Sequence, residues 1–318
     1  MIEGLTTNEI QNVAPVVSVC VQSYQHVEYI EQCLKSILAQ KTTFEFEIIL
    51  GEDDSTDGTR EICEEYALKY PDKIKLFLRN RADVIFINGK ATGRFNFIQN
   101  ILASKGKYIA ICESDDYWTD PLKLQKQFDL MEKNPEFGIC FHKVKELNTF
   151  DNTKNKELPE IVSDTIYEIT DYILSNKTAT CSIFFKKSLF EPVPDWFYKL
   201  PFGDLGIVLL VMQRSNGKGI VLNDEMGVYR VHAKGIHGSM KKDARSLINA
   251  YQQHIEFTEI MRKEFFTDGS YEKLLIQKVI NTLVIIRNHY RELGSFTGYM
   301  SSSLKLYYYK ALNKLGTA

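Results

Sequence analysis

The sequence has no long hydrophobic run. Its densest apolar stretch, Leu205 to Met212, falls far short of the ~20 residues needed to span a bilayer, and a soluble body is expected. There is no Cys-x-x-Cys pair either: Cys20, Cys33, Cys63, Cys112, Cys140 and Cys181 are dispersed. That spacing argues against a zinc ribbon or a disulfide frame, and leads us to expect reduced thiols packed as small hydrophobes in a cytoplasmic protein. Met1 to Val13 is polar, without the basic and apolar regions of a secretory leader. Neither charge is in excess. Lys and Arg number 39 against 41 Asp and Glu, a net charge of −2, which gives no electrostatic reason to expect a nucleic-acid partner. Glycine is missing from one informative place: the first apolar run is followed by Gln22-Ser23-Tyr24-Gln25-His26, with no G-x-G-x-x-G, which excludes a dinucleotide-binding dehydrogenase.

What is present is an ordinary globular composition, 44% hydrophobic over 318 residues, enough for a full core. Pro15 to Val21 reads as a strand buried on both faces. Val27 to Gln40 follows with a helical apolar period. Glu47–Leu50, Ile74–Leu78, Tyr108–Cys112 and Phe137–Val144 read as further strands. Thr59–Tyr70, Phe95–Ala103 and Pro121–Lys133 read as helices, the last with Asp120 as N-cap and proline at its first position. This alternation predicts an α/β fold with a parallel sheet and helices on both faces, in which ligands bind beyond the carboxyl ends of the strands. The polar stretch 148–164 predicts a long mobile loop. Thr180–Phe185 predicts a strand, Leu205–Gln213 a helix, and Ile220–Tyr229 a strand or short hairpin. From Lys241 onward the pattern is helical.

Acidic residues gather after the strands. Glu52-Asp53-Asp54-Ser55-Thr56-Asp57-Gly58-Thr59 contains the turn chemistry that caps a helix. Capping accounts for Ser55, Thr56 and Asp57, but leaves Glu52 and Asp53 as carboxylates able to accept hydrogen bonds from a base or ribose. Glu113-Ser114-Asp115-Asp116 places three carboxylates within four residues. They repel one another unless protonated or neutralised by a cation, and Mg²⁺ or Mn²⁺ takes such oxygens while sharing them with phosphates; a solvated acidic turn is the plainer alternative. Asp204 opens an apolar helix, and read on its own it is expected to be a cap. His142 reads as a satisfied sheet residue. The histidines of Tyr229-Arg230-Val231-His232-Ala233-Lys234-Gly235-Ile236-His237 read on their own as exposed loop residues, and His26 stays ambiguous.

Five segments then fall into a known order: Val17 to Gln25; Tyr29 to Gln40; Glu52 to Thr59; Gly106-Lys107-Tyr108-Ile109-Ala110 leading into Glu113 to Trp118; and Tyr229-Arg230-Val231-His232. Together, over roughly Val16 to Ser239, they resemble the inverting glycosyltransferases of family 2. The resemblance implies the GT-A nucleotide-diphospho-sugar transferase fold, a mostly parallel central sheet flanked by helices, over residues 1–240, with a C-terminal helical extension over 241–318. It implies inverting, non-processive transfer from a UDP-sugar or related donor to a hydroxyl of a glycan or lipid-linked acceptor, in bacterial surface polysaccharide synthesis. Asp53 then touches the donor base and Asp204 is the general base. Ser23, Tyr24, Glu52, Asn96, Glu113, Ser114, Arg230 and His232 join Asp53 in holding the donor. Asp115, Asp116 and His232 hold Mn²⁺ or Mg²⁺. The chain departs from the family pattern at Glu113 for Asp, Asp54 for Gly and Gln25 for Asn, and the Gln-x-x-Arg-Trp element of processive synthases is absent.

Other readings compete. A sugar nucleotidyltransferase uses a similar sheet but carries a glycine-rich loop where this chain has Gln22 to His26. A phosphatase of the D-x-D-G-T type needs its two acids one residue closer than Asp54 and Asp57. A non-catalytic module binding glycans or sugar nucleotides would have no need of the acids at 115, 116 and 204. At the C-terminus, Lys305, Lys310, Lys314 and Tyr307-Tyr308-Tyr309 suit either a helix docked on the core or on a second copy in a homodimer, or peripheral contact with the inner face of a membrane.

Overall fold

The structure is a computed structural model, and it describes residues 14–149, 155–232 and 243–315. The leader reading of Met1 to Val13, the stretch from Ala233 through His237, the expected boundary at 240 and the start of the helical region at Lys241 lie outside the described residues.

The first half alternates as the sequence predicts: β1 (Val17–Ser23), α1 (Ile30–Leu38), β2 (Phe46–Glu52), α2 (Thr59–Lys69), β3 (Ile74–Leu78), then a hairpin of β4 (Ile85–Ile87) and β5 (Lys90–Thr92). It continues through α3 (Arg94–Ala103), β6 (Tyr108–Ile111), β7 (Tyr117–Trp118), α4 (Lys123–Lys133), β8 (Ile139–Asn148), β9 (Lys156–Leu158) and β10 (Thr165–Glu168). Next come α5 (Ile169–Leu174), β11 (Phe184–Lys186), α6 (Gly203–Gln213) and the long β12 (Lys218–Val231). The chain ends in α7 (Ala244–Ile260), α8 (Glu272–Glu292) and α9 (Phe296–Leu315).

The main sheet runs β10-β12-β8-β11-β6-β1-β2-β3. The stretch β6-β1-β2-β3 is parallel throughout, and β8 runs parallel to β12. β11 is antiparallel to both its neighbours and joins these two parallel groups. Successive side chains of a strand face opposite ways, and β1 divides its residues accordingly. Val17, Val19 and Val21 pack with Ile30, Cys33, Leu34 and Ile37 of α1 on one side. Cys20 joins Ile98 and Ile101 of α3 and the apolar residues Leu205 and Ile207 to Met212 of α6 on the other. Each such aliphatic side chain contributes roughly 1.5–3 kcal/mol by leaving water. Phe257 of α7 and Leu275 of α8 belong to that second core, while Ile276, Val279, Ile280 and Leu283 of α8 pack with Leu306 of α9.

Four expectations need correction. The stretch 148–164 is not simply a loop, because β9 pairs antiparallel with Val144 to Glu146. Its polarity hid a strand held by cross-strand charges, Lys143 to Glu157 at 2.5 Å and Lys156 to Glu146 at 3.9 Å. Thr180–Ser182 is a 3-10 turn rather than strand, with Ser182 Oγ donating to the Ala179 carbonyl at 2.7 Å. α4 starts two residues later than Pro121 allowed: Asp120 Oδ1 accepts the Leu122 N–H at 2.8 Å and closes a turn ahead of the helix. The β4–β5 hairpin had no counterpart in the sequence reading. Its turn is tied to α7 by Asn88 Nδ2, which donates to Glu256 Oε2 at 2.5 Å.

Candidate active site

Parallel register places Ser23 of β1 beside Glu52 of β2, and Cys20 beside Ile111 of β6. The residues that follow these strands therefore emerge along one edge. β7 pairs with Gly227 and Val228 of β12, which carries Arg230 and His232 to the same edge from more than a hundred residues away.

At one end lie Tyr24, Asp53 and Arg81. Arg81 Nη1 donates to Asp53 Oδ2 at 2.5 Å, and its guanidinium covers the Tyr24 ring at 4.3 Å from the centroid. Burial raises the Asp53 carboxyl, and the Arg81 charge offsets this only in part. Arg81 was not singled out by sequence; it follows β3, and strand order alone could have nominated it. Behind this group, Ser23 is buried and accepts the Asp53 N–H at 3.0 Å through its carbonyl. Glu52 is buried, with Oε1 accepting from Ser55 N at 2.8 Å and Oε2 from Arg60 Nε at 2.6 Å. Asn96 is buried too, and donates to the Gly51 carbonyl at 2.8 Å. Glu52, the Asn96 amide nitrogen and the Ser23 backbone carbonyl are thus engaged with the chain itself. The sequence departures keep the backbone shape: Gln25 (φ 56°) and Asp54 (φ 64°) are both left-handed, a conformation that glycine and, less readily, Asn and Asp adopt. Asp54 adds a contact glycine lacks, Oδ1 to Arg60 Nη2 at 3.3 Å.

At the centre, Asp115 Oδ2 meets His232 Nε2 at 3.0 Å and faces His26 Nε2 at 3.8 Å. His26 Nδ1 in turn meets Ser114 Oγ at 2.7 Å. Asp116 is fully buried and its Oδ1 accepts the Arg230 N–H at 2.8 Å. The Arg230 guanidinium lies between the rings of Tyr29 and Tyr117, at 5.1 and 4.5 Å, and donates to the Asp115 carbonyl at 2.5 Å. Burial and the repulsion of Asp115 and Asp204 push Glu113 up to about 8. Burial and Asp115 likewise raise Asp116 well above the carboxylate range. Burial opposes ionisation of Asp115 as well, but the His232 hydrogen bond and the attraction of His26 outweigh it and hold it low. Two donor sets suit a divalent ion: Glu113, Asp115 and Asp116, or His26, Asp115 and His232, each with ligand atoms within 4.8 Å of one another. Oxygen and imidazole donors of this kind fit Mn²⁺ or Mg²⁺.

At the other end is Asp204, in the first turn of α6. It does not cap that helix: Phe202 is the N-cap residue, with no side-chain cap bond. Asp204 Oδ2 instead accepts from Asn176 Nδ2 at 3.1 Å and Thr180 Oγ1 at 3.4 Å. Arg94 reaches this point from α3. It is buried, donates to the Leu200 carbonyl at 2.9 Å, and feels both Asp204 and Glu113 while burial lowers it to about 10. Gly203 makes room for it, since a Cβ there would lie 1.4 Å from Arg94 Nη1. The Phe202 ring packs on His254 of α7, centroids 4.6 Å apart.

The family model described as Glycosyl transferase family 2 matches residues 18–191. A protein of Mycobacterium tuberculosis, itself uncharacterized, is 33% identical over 230 residues, 70% of this chain, and the chain spans 61% of that relative's length. TarS 1-349 of S. aureus, solved in complex with UDP-GlcNAc, aligns over 90% of each chain with a TM-score of 0.53 and 18% identity. The mannosyltransferase PcManGT of Pyrobaculum calidifontis, solved with GDP-Man and Mn2+, aligns over 95% of this chain and 84% of its own with a TM-score of 0.54 and 17% identity. At those identities the likeness concerns the fold.

Proposed function

Because the chain belongs to glycosyl transferase family 2 and has the GT-A fold, we propose that it is an inverting, non-processive transferase moving one sugar from a nucleotide-diphosphate donor to a hydroxyl of a glycan or lipid-linked acceptor. One observation supports this reading: the residues following β1, β2, β3 and β6 gather the Tyr24–Asp53–Arg81 group and the Asp115 cluster, and Glu113 of that cluster feels the charge of Asp204.

The base of the donor stacks on Tyr24 and hydrogen-bonds to Asp53, with Arg81 closing the group; UDP-sugars are the first donors to test. Ser23, Glu52 and Asn96 act by holding the loop that presents Asp53. Ser114 and Arg230 act by fixing His26 and the Asp115 backbone. An ion bound by Asp115 with Glu113, Asp116 or His232 would supply Lewis acidity toward the departing diphosphate. The acceptor oxygen attacks the anomeric carbon from the Asp204 side as the carbon–oxygen bond to the diphosphate breaks, inverting the centre. Asp204 takes the hydroxyl proton, a contribution of typically ~10²–10⁴-fold. Asn176 and Thr180 both bind Oδ2 of Asp204, which orients the carboxylate and leaves Oδ1 for the acceptor. Helix α7, from Ala244, borders this side through His254, whose ring packs on Phe202.

The test combines a donor screen with one variant. UDP- and GDP-sugars are screened with Mn²⁺ for thermal stabilisation, since a ligand at 100 times its Kd adds roughly 3 kcal/mol. Asp204→Asn then abolishes transfer while donor binding stays intact. Normal turnover by that variant would remove Asp204 from the mechanism, and an absence of stabilisation by any sugar nucleotide would overturn the assignment.

A further inference from the structure

Asp115 belongs to both donor sets, and the two differ in kind. One is all carboxylate, and the other contains two imidazoles. Resting on the donor-site reading above, we propose that the divalent ion sits on the imidazole side of Asp115, with His26 Nε2 as a metal ligand beside His232 Nε2 and Asp115 Oδ2, and that this set favours Mn²⁺ over Mg²⁺.

The geometry of His26 supports this. Its backbone N–H donates to Thr59 Oγ1 at 2.9 Å, and the left-handed Gln25 before it is pinned by Ser55 Oγ at 3.0 Å. The ring is therefore held from both its backbone and Nδ1. If Nδ1 donates to Ser114 Oγ, 2.7 Å away, Nε2, on the Asp115 side, is the nitrogen that would take the ion. A metal-binding histidine characteristically has its second nitrogen fixed in this way. Asp115 Oδ2 lies 3.0 Å from His232 Nε2 and 3.8 Å from His26 Nε2, and all three atoms fall within 4.8 Å of one another. Neighbouring ligands about an octahedral ion at ~2.1 Å stand ~3 Å apart and opposite ones ~4 Å, so the three atoms need shift only slightly to converge.

The carboxylate side is less available. Of the Asp116 oxygens, Oδ1 is held by the β12 backbone at Arg230, and only the fully buried Oδ2 is without a hydrogen-bond partner among the described residues. Mg²⁺ requires near-ideal oxygen coordination and gives up water reluctantly, whereas transition ions accept imidazole readily.

Mn²⁺ and Mg²⁺ are titrated into the full chain with UDP present, by calorimetry, and the Mn²⁺ complex is examined by pulsed EPR, which reads the nitrogen couplings of bound imidazole. The wild-type chain binds Mn²⁺ more tightly than Mg²⁺ and shows two coupled imidazoles. His26→Ala shows one, and its Mn²⁺ affinity falls by roughly 10–100-fold or more, the lower figures being what loss of a mere supporting partner costs. If His26→Ala does not fold, the wild-type coupling count and His26→Gln decide between two imidazoles and one. One imidazole in the wild-type chain, or an unchanged Mn²⁺ affinity in the folded variant, overturns the His26 assignment and leaves the donor site standing. Uptake of neither ion by the wild-type chain overturns the metal-dependent donor site as well.

Discussion

Lys123, at the start of α4, offers a quantitative test of how the interior behind the acidic cluster is built. Its side chain is fully buried, and Nζ lies 3.8 Å from the centroid of the Trp118 ring with no hydrogen-bond partner among the described residues. Burial lowers the amine from 10.5 to about 7, with the buried thiols of Cys112, Cys140 and Cys181 pulling weakly the other way. The folded chain thus sheds a proton that the unfolded chain keeps up to about pH 10.5. Below pH 7 both states hold it and the destabilisation is at its fullest; between 7 and 10.5 the unfolded state binds more protons, and stability rises with pH. At ~1.4 kcal/mol per pH unit the cost is about 4 kcal/mol at pH 7 and about 2 at pH 9. Lys123→Met should therefore be more stable than the parent by about 4 kcal/mol at pH 7, an advantage that shrinks to about 2 kcal/mol at pH 9. His142, lowered to about 3 by burial first and by Lys123 next, is neutral across this window. The buried thiols lose stability above their unfolded pKa in both chains, so the difference between the two isolates Lys123. Urea unfolding at the two pH values measures it. An advantage that is equal at pH 7 and pH 9 would refute the reasoning, as would a methionine variant less stable at both.

Arg81→Ala should weaken donor-nucleotide binding roughly tenfold, about one charge-assisted hydrogen bond, while leaving Mn²⁺ affinity in place; calorimetry with UDP reads both. Asn176→Ala should lower kcat by about tenfold with little change in KM, because the bond to Asp204 Oδ2 positions the base and not the donor; steady-state kinetics separates the two. Gly203→Ala should destabilise by about 1–3 kcal/mol, since its Cβ would occupy the place of the buried Arg94 Nη1, and Arg94→Ala in the same chain should recover part of the loss in urea unfolding.

The sequence announces whatever is local. β1 is a run of valines, α1 repeats apolar residues at helical spacing, and Asp53, Asp115 and Asp204 each stand at the end of a strand or the start of a helix. What it hides is pairing across distance. Arg81 meets Asp53 from 28 residues on, out of a segment whose composition suggests only a loop. Asn176 reaches Asp204 from within a polar stretch before β11, and Arg94 crosses from α3 to the start of α6. Polarity also misled: Glu157 and Lys156 make a strand because their charges are matched across β8, a fact about a neighbour and not about the stretch itself. His26 was undecided for the same reason, since Asp115 and His232 become its neighbours only when β6 and β12 are in place.

β12 has a consequence for how this chain can change. Its pairing with β8 slips between Leu222 and Glu225 and again between Glu225 and Gly227, before resuming a regular register through Val231. Those slips set which face of the strand Arg230 and His232, two positions apart, present to the acidic cluster. A one-residue deletion between 222 and 227 would present Val231 to Asp115 in their stead. The irregular stretch behaves as a vernier on the strand: insertions or deletions there are readable only in pairs, and a lineage that alters its length by one must surrender both side chains at once.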